Sequence, residues 1–300
     1  MISILISLFF LSTAQPSEIL PCYDDQSLNI SITEPSSKIL LIPGAGARGE
    51  ELYLGHIHWG KYFSELSLEL ERHNLQVEIL PVALNGNDSL DKRIQRIRHY
   101  LINKKQRYIL WGHSIGGLVS RLALKQKQVS KYVTAVVQMS SPNRGTEIAD
   151  FVFKHDSRAH TINLISKVFG FPVQEKRYFK EMQTSRTADI LQARDTDIPA
   201  PPIYSIVSYQ PPEKMIKSIP ALNITDAIMR PIIRVRTKEW GTLTDGIVPA
   251  YSQPWGECLF QVELNHGGII GKTFLSKEHN IFKKLINKIV IELKNRNHIE

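Results

Sequence analysis

The stretch Gly112-His113-Ser114-Ile115-Gly116-Gly117 joins an apolar run to a segment with helical periodicity. Before it, Tyr108-Ile109-Leu110-Trp111 has the composition of a buried strand, and residues 118–124 after it are predicted to form a helix. A G-x-S-x-G sequence between a strand and a helix is typical of a sharp turn that projects its serine, with glycines where a side chain would clash. We therefore predict that Ser114 is a nucleophile; the alternative is an ordinary glycine- and serine-containing turn.

Strands and helices alternate through the first half of the chain around this turn. Apolar runs predict strands at residues 38–42, 76–80, 108–111 and 133–139. Amphipathic segments predict helices at residues 62–72 and 90–103, and an Asn85-Gly86 turn lies between. This alternation predicts an α/β fold with a mostly parallel central sheet and helices on both faces.

The alternation stops near residue 146, and a helix-rich segment with apolar clusters follows to about residue 202. We expect this segment to be a lid or cap that shields a hydrophobic site, or else two core helices of the main domain. Strands are predicted again at 203–207 and 259–264, and a basic amphipathic helix at 277–296 ends the chain. One elaborated domain over residues 15–300 is the preferred organisation.

Composition excludes few classes, but it disfavours nucleic-acid binding. The chain has 300 residues, 42% of them hydrophobic, and a formal net charge of +8. Its Lys and Arg residues are scattered and form no stripe interleaved with aromatic residues. The basic C-terminal helix is interpreted as a solvated surface helix, with attraction to an anionic lipid surface as the alternative.

The first residues indicate export. Residues 1–11 are apolar but too few to span a bilayer, and Ser12-Thr13-Ala14 supplies small residues at a cleavage point, so residues 1–14 are predicted to be a secretory signal peptide. The segment lacks Lys and Arg, which leaves a core strand or a membrane anchor as the alternative. In an exported chain, Cys22 and Cys258 could form one disulfide; two unrelated thiols are the alternative.

A nucleophilic serine needs a histidine as its base and an acid that orients the histidine. In this type of fold the acid and then the histidine follow the serine, in loops after late strands. His266 satisfies this order best, whereas His113 is interpreted as a wall of the site. Asp245, in a glycine-assisted turn, is the preferred acid. The other candidates are the histidines 155, 160 and 279 and the lower-ranked acids Asp195, Asp197 and Asp226.

Backbone amides are the expected stabilisers of a tetrahedral oxyanion. One is the amide of Ile115, directly after Ser114 at the start of a helix. The other is expected in the glycine loop Pro43-Gly44-Ala45-Gly46 after the first predicted strand, with Ala45 as the preferred position. That loop lacks the Gly-Lys-Ser/Thr ending of a phosphate-binding loop.

With these motifs the chain resembles the bacterial secreted triacylglycerol lipases of the Pseudomonas and Burkholderia type, within the α/β-hydrolase superfamily. It is also similar to the serine esterases that cleave acyl groups from lipids or glycolipid anchors. The resemblance rests on the glycine loop, the Ser114 turn, and three further pieces: Ser141-Pro142-Asn143-Arg144-Gly145-Thr146-Glu147, Thr244-Asp245-Gly246-Ile247-Val248-Pro249 and Asn265-His266. It implies an α/β-hydrolase fold, the triad Ser114, Asp245 and His266, oxyanion amides at Ala45 and Ile115, and a mobile lid after Gly145.

Two departures from that family affect what the resemblance implies. The family has His-Gly where this chain has Pro43-Gly44, which changes the wall of the oxyanion loop and keeps its backbone donors. Those lipases hold calcium through acidic residues near the histidine, but Gly267-Gly268-Ile269-Ile270 offers no carboxylate. A calcium ion needs several oxygen ligands, so we predict no calcium site and no cofactor.

The expected function is hydrolysis of carboxylic esters of lipid-like substrates through an acyl-serine intermediate, with transient contact with a lipid surface. Transfer of the acyl group to an alcohol, or cleavage of a thioester, would use the same triad. A third alternative is a lipid-binding module that kept the fold without the activity.

Overall fold

The computed structural model describes residues 19–22, 35–36, 38–54, 57–81, 88–154, 163, 166, 177–185, 201–215, 220–236, 242–273 and 275–299. The predicted signal peptide 1–14, the Asn85-Gly86 turn and much of the predicted lid 146–202 lie outside these residues.

The strands of the described part are short to medium in length and most are apolar. They are β1 (Ile19–Pro21), β2 (Lys38–Ile42), β3 (Ala47–Arg48), β4 (Glu51–Leu54), β5 (Ile57–Lys61), β6 (Gln76–Ile79), β7 (Tyr108–His113), β8 (Val133–Met139), β9 (Ile203–Tyr209) and β10 (Glu257–Glu263). Every residue of β7 and β8 is buried, as expected for central strands covered on both faces.

Helices separate most of these strands. They are α1 (Ser64–Glu71), α2 (Leu90–Lys104), α3 (Ile115–Ala123), α4 (Lys127–Ser130), α5 (Glu147–Lys154), α6 (Arg177–Glu181), α7 (Pro212–Met215), α8 (Pro220–Arg236) and α9 (Ser276–Asn295). Short 3-10 turns occur at Ala250–Ser252 and Gly268–Ile270. No described helix is both long and apolar enough to cross a membrane.

Among the described residues, seven strands form the main sheet in the order β1-β10-β9-β8-β7-β2-β6. The six strands from β10 to β6 are parallel, and only the edge strand β1 runs antiparallel to its neighbour. The α/β fold with a mostly parallel central sheet, predicted from the alternation of strands and helices, is confirmed.

The alternating side chains of β2 divide the core into two layers. Ile39 and Leu41 pack in the layer formed with α1 and α9. Leu40 and Ile42 pack in the layer formed with α2, α3 and part of α8. Helices therefore cover both faces of the sheet, and the loops that leave the carboxyl ends of β2, β7 and β10 meet at one edge.

A second, three-stranded antiparallel sheet, β3-β4-β5, lies between β2 and α1. Sequence patterning did not predict it, because its strands have two to five residues and carry no sustained alternation. The helix that follows it covers residues 64–71, which is shorter than the predicted 62–72. Helix α8 was likewise not predicted.

A disulfide joins Cys22, directly after β1, to Cys258 in β10, with Cα atoms 5.5 Å apart. Of the two alternatives that the sequence left open, one disulfide or two unrelated thiols, the structure has the disulfide. The link spans 236 positions of sequence and ties the antiparallel edge strand to its neighbour.

Candidate active site

Ser114 occupies a sharp turn between β7 and α3. Its φ of 56° and ψ of −132° lie outside the regions that non-glycine residues normally adopt. The Ser114 amide donates to the Met139 carbonyl at 2.9 Å, and the Gly117 amide donates to the Ser114 carbonyl at 3.0 Å. Neighbouring strand and helix therefore hold the strained backbone in place, as at many functional sites.

The glycines on either side of Ser114 are required by close backbone approach. A Cβ added at Gly112 would lie 2.3 Å from the Gly117 nitrogen, and one at Gly116 would lie 2.0 Å from the Ile42 carbonyl oxygen. Any larger residue at these positions would push β7 away from α3, or α3 away from β2. The G-x-S-x-G pattern thus has a steric cause here.

Asp245 and His266 meet across the turn that precedes β10 and the loop that follows it. His266 Nδ1 lies 2.8 Å from Asp245 Oδ2, and the Asp245 side chain is fully buried. The other carboxylate oxygen, Oδ1, accepts the backbone amides of Ile247 at 2.9 Å and Val248 at 2.7 Å. Ser208 Oγ donates to Oδ2 at 3.2 Å. These donors fix the orientation of the carboxylate toward the imidazole.

The backbone of His266 is anchored as firmly as its ring. Its amide donates to the Asp245 carbonyl at 2.9 Å. Asn265 Oδ1 accepts the amides of Gly267 at 3.1 Å and Gly268 at 2.8 Å, which closes the loop after β10. The imidazole is therefore held by its loop as well as by Asp245.

Ser114 and His266 line the same cavity, which has a volume of about 960 Å³ with its open mouth included. Its walls are mainly apolar, and they come from the small sheet, α6, α8 and the Asp245 turn. Representative lining residues are Leu52, Trp59, Phe179, Met182, Leu222 and Ile247. Such a cavity suits an apolar ligand group placed beside a reactive hydroxyl.

The glycine loop after β2 lies at the same cavity, since Ala45 lines it. Arg93 of α2 donates from Nη1 to the carbonyls of Pro43 at 3.3 Å and Gly44 at 3.4 Å. The Gly44 carbonyl and the Ala45 amide belong to one planar trans peptide and point in opposite directions. The contact with Arg93 thus turns the Ala45 amide away from α2. Ile115, the other predicted donor, is the first residue of α3.

His113 is buried between the glycine loop and the His266 loop. Its Nδ1 lies 2.8 Å from the Tyr62 hydroxyl, and its Nε2 lies 2.9 Å from the His266 carbonyl oxygen. Burial, with the nearby His266 as a smaller cause, holds the pKa of His113 well below its ordinary value of 6.5. The ring lines the cavity and is 4.6 Å from the His266 ring, centroid to centroid.

The structure describes two of the lower-ranked candidates, Asp226 and His279. Asp226 pairs with Arg230, with Nε and Oδ2 2.5 Å apart. Burial raises the pKa of Asp226, nearby Asp245 raises it further, and Arg230 opposes both. His279 lies in the first turn of α9. The remaining candidates, Asp195, Asp197, His155 and His160, lie outside the described residues.

Sequence reasoning missed Tyr62 and Arg93, which contact the glycine loop. Arg93 carried a usable signal, because it shares the buried stripe of α2 with Leu90, Ile94 and Ile97, and a charge in such a stripe is unusual. Tyr62 carried none that separates it from an ordinary core aromatic. No group of three or more His, Cys, Asp or Glu residues able to hold a metal ion occurs in the described part of the chain.

A family model described as a PGAP1-like alpha/beta domain matches residues 78–165, a segment that contains β7, Ser114, α3 and β8. No curated protein sequence matches the chain significantly.

Solved structures of esterases and lipases share the architecture. A metagenomic carboxyl esterase superposes with a TM-score of 0.63 at 17% identity, over 89% of this chain and 78% of that one. The Staphylococcus hyicus lipase gives 0.61 at 13% identity, over 89% and 98%. The mature Bacillus licheniformis lipase gives 0.59 at 15%, over 87% and 94%. The chain therefore has the α/β-hydrolase fold and resembles bacterial lipases.

Proposed function

We propose that the protein is a serine hydrolase that cleaves carboxylic esters of lipid-like substrates. The observation that carries the proposal is that His266, hydrogen-bonded to the buried Asp245, shares an apolar cavity with the strained Ser114. Lipase and esterase neighbours support the fold on which such a site is built.

In the proposed reaction, His266 Nε2 takes the proton of Ser114 Oγ while the oxygen attacks the ester carbonyl. Asp245 keeps the imidazole oriented through Nδ1 and stabilises its positive charge. The amides of Ala45 and Ile115 stabilise the oxyanion. The imidazolium then protonates the leaving alcohol, which leaves an acyl group on Ser114, and water activated by His266 releases the acid.

The surroundings of the site support three further parts of the proposal. The apolar cavity wall supports a lipid-like acyl group and transient contact with a lipid surface. Phe179 and Met182, from the described part of residues 146–202, line the cavity and support a lid role within one hydrolase domain. The disulfide between Cys22 and Cys258 supports export into an oxidising compartment, after removal of residues 1–14.

Replacing Ser114 tests the proposal directly. We expect Ser114→Ala to lose about 10³-fold or more of the rate on a chromogenic acyl ester, because no other group supplies the attacking oxygen. Ser120→Ala is the matched control: this buried serine of α3 donates to the Gly116 carbonyl at 2.7 Å and does not line the cavity. It should retain turnover. Circular dichroism checks that both variants fold.

A fluorophosphonate probe separates the alternatives, because it labels only an activated serine. Wild type and Ser120→Ala should be labelled and Ser114→Ala should not. An unlabelled, inactive wild type would favour a lipid-binding module, and turnover by Ser114→Ala would exclude the nucleophile. Product analysis with a competing alcohol, and a parallel assay on an acyl thioester, identify acyl transfer and thioesterase activity.

A further inference from the structure

A chain of buried hydrogen bonds connects the glycine loop to the loop that carries His266. The Gly44 amide donates to the Tyr62 hydroxyl oxygen at 3.1 Å, the Tyr62 hydroxyl lies 2.8 Å from His113 Nδ1, and His113 Nε2 lies 2.9 Å from the His266 carbonyl oxygen. Tyr62 and His113 are each 2% exposed. Four elements distant in sequence are thus joined at the site.

The donor or acceptor character of each group, together with a neutral His113, sets the direction of these three hydrogen bonds. A carbonyl oxygen can only accept, so His113 Nε2 carries a hydrogen and donates it to His266. Burial favours the neutral imidazole, in which the other nitrogen, Nδ1, is an acceptor. Tyr62 therefore donates to Nδ1, and its oxygen accepts the Gly44 amide.

Tyr62 and Arg93 together hold two successive peptide planes of the glycine loop. The Pro43 carbonyl and the Gly44 amide form one peptide plane. Arg93 donates to its carbonyl, and Tyr62 accepts from its amide. Arg93 also holds the next carbonyl, that of Gly44, whose peptide carries the Ala45 amide. Loss of the Tyr62 hydroxyl would leave the Gly44 amide without this acceptor. The Pro43–Gly44 peptide would then be held only at its carbonyl, and the following peptide, which carries the Ala45 amide, could rotate with it.

We propose that Tyr62 and His113 are positioning residues that fix the position of the glycine loop relative to the loop that carries His266. The inference rests on the proposed function, because it assigns these residues a role in that reaction. The link acts through the backbones of Gly44 and His266, and the rings of Tyr62 and His113 also line the cavity. A neutral His113, 4.6 Å from the His266 ring, also adds no repulsion when His266 becomes charged.

The test is Tyr62→Phe, which removes the hydroxyl and keeps the ring that packs against Phe63 and His113. We expect kcat on a chromogenic ester to fall about 10- to 100-fold, because small misplacements of reacting groups have effects of this size. KM should change little, since the cavity wall is kept. The rate of fluorophosphonate labelling should fall in parallel with kcat.

Tyr204→Phe is the matched control. Tyr204 is also fully buried, and its hydroxyl also bonds to a histidine ring, that of His298, at 2.7 Å. It lies near the start of β9, at the opposite end of the sheet from the site. Tyr62→Phe loses the hydrogen bonds to Gly44 and His113, and Tyr204→Phe loses the one to His298, so both variants should lower the melting temperature, but only Tyr62→Phe should lower kcat.

The double variant Tyr62→Phe/His113→Phe shows whether the two residues act as one unit. If they do, its loss of kcat equals that of His113→Phe alone, because breaking either bond severs the same link. Additive losses, or an unchanged kcat in a folded Tyr62→Phe protein, would overturn the inference while wild-type turnover still upheld the proposed function. An inactive, unlabelled wild type would remove both.

Discussion

At the scale of single residues, His113 is a neutral histidine beside His266, the histidine that the proposed reaction charges transiently. Its two ring nitrogens are occupied by Tyr62 and by the His266 backbone, so a second ring hydrogen would have to displace the hydrogen that Tyr62 donates to Nδ1. Burial lowers the pKa of His113 well below 6.5. Protonation is therefore linked to loss of the native arrangement.

This linkage predicts how stability depends on pH. Below pH 6.5 the unfolded chain protonates this histidine and native His113 does not, so the free energy of unfolding falls as pH falls. Between pH 7.5 and 5.5, His113 should account for about 1 kcal/mol of that fall. Guanidinium unfolding of wild type and His113→Phe at both pH values measures the difference.

The fall in wild type should exceed that in His113→Phe by this amount. His298, whose pKa is also lowered, by burial first and by Arg296 second, contributes equally to both proteins and cancels. Equal falls would mean that native His113 takes up the proton.

At the scale of elements, the turn before β10 and helix α8 each offer a buried acid, Asp245 and Asp226, and the two acids are close enough to interact. The turn binds the carboxylate of Asp245 with two backbone amides and directs it to the imidazole. The helix directs Asp226 to Arg230, which also donates to the carbonyls of Gln210 and Thr242. The turn therefore supplies the acid of the proposed triad, and the helix braces the turn.

Comparing two isosteric variants tests this division. Asp245→Asn should lower kcat about 10³- to 10⁴-fold with the fold retained, because an amide cannot hold the imidazole in the tautomer that accepts the serine proton. Asp226→Asn should lower kcat less than about tenfold, since it weakens only the support that Arg230 gives to the turn through the Thr242 carbonyl. Steady-state kinetics measures both. A larger loss in Asp226→Asn than in Asp245→Asn would reverse the assignment.

At the scale of the whole molecule, the disulfide is a covalent tie at the edge of the sheet opposite β6. It closes a loop of more than two hundred residues, so it restricts the unfolded chain strongly. Cys258 lies near the start of β10, whereas His266 follows the end of that strand. The disulfide should therefore stabilise the fold without changing the geometry of the site.

Removing the disulfide should separate stability from activity. The double variant Cys22→Ser/Cys258→Ser should lose about 2–5 kcal/mol of unfolding free energy, with kcat at low temperature unchanged. Denaturant unfolding and an ester assay measure the two quantities. A reductant should lower the stability of wild type to that of the variant and leave the variant unaffected; equal stability of wild type with and without reductant would contradict this.

The sequence by itself determined the features that depend on neighbours along the chain. The β7 strand, the Ser114 turn and α3 are contiguous, and the alternation of strands and helices predicted the parallel sheet because apolar periodicity is local. The order of Asp245 and His266 after Ser114 made both candidates. Their hydrogen bond, and the cavity that His266 shares with Ser114, were not available from order alone.

Only the tertiary structure decided which distant residues meet. Parallel strands bring the carboxyl ends of β2, β7 and β10 to one edge, and side chains from other elements then fill the space between those loops. Tyr62, His113 and Arg93 acquire their contacts in this way, as does the pairing of Cys22 with Cys258. The physical reason is that such contacts join residues tens to hundreds of positions apart, a separation over which local periodicity carries no information.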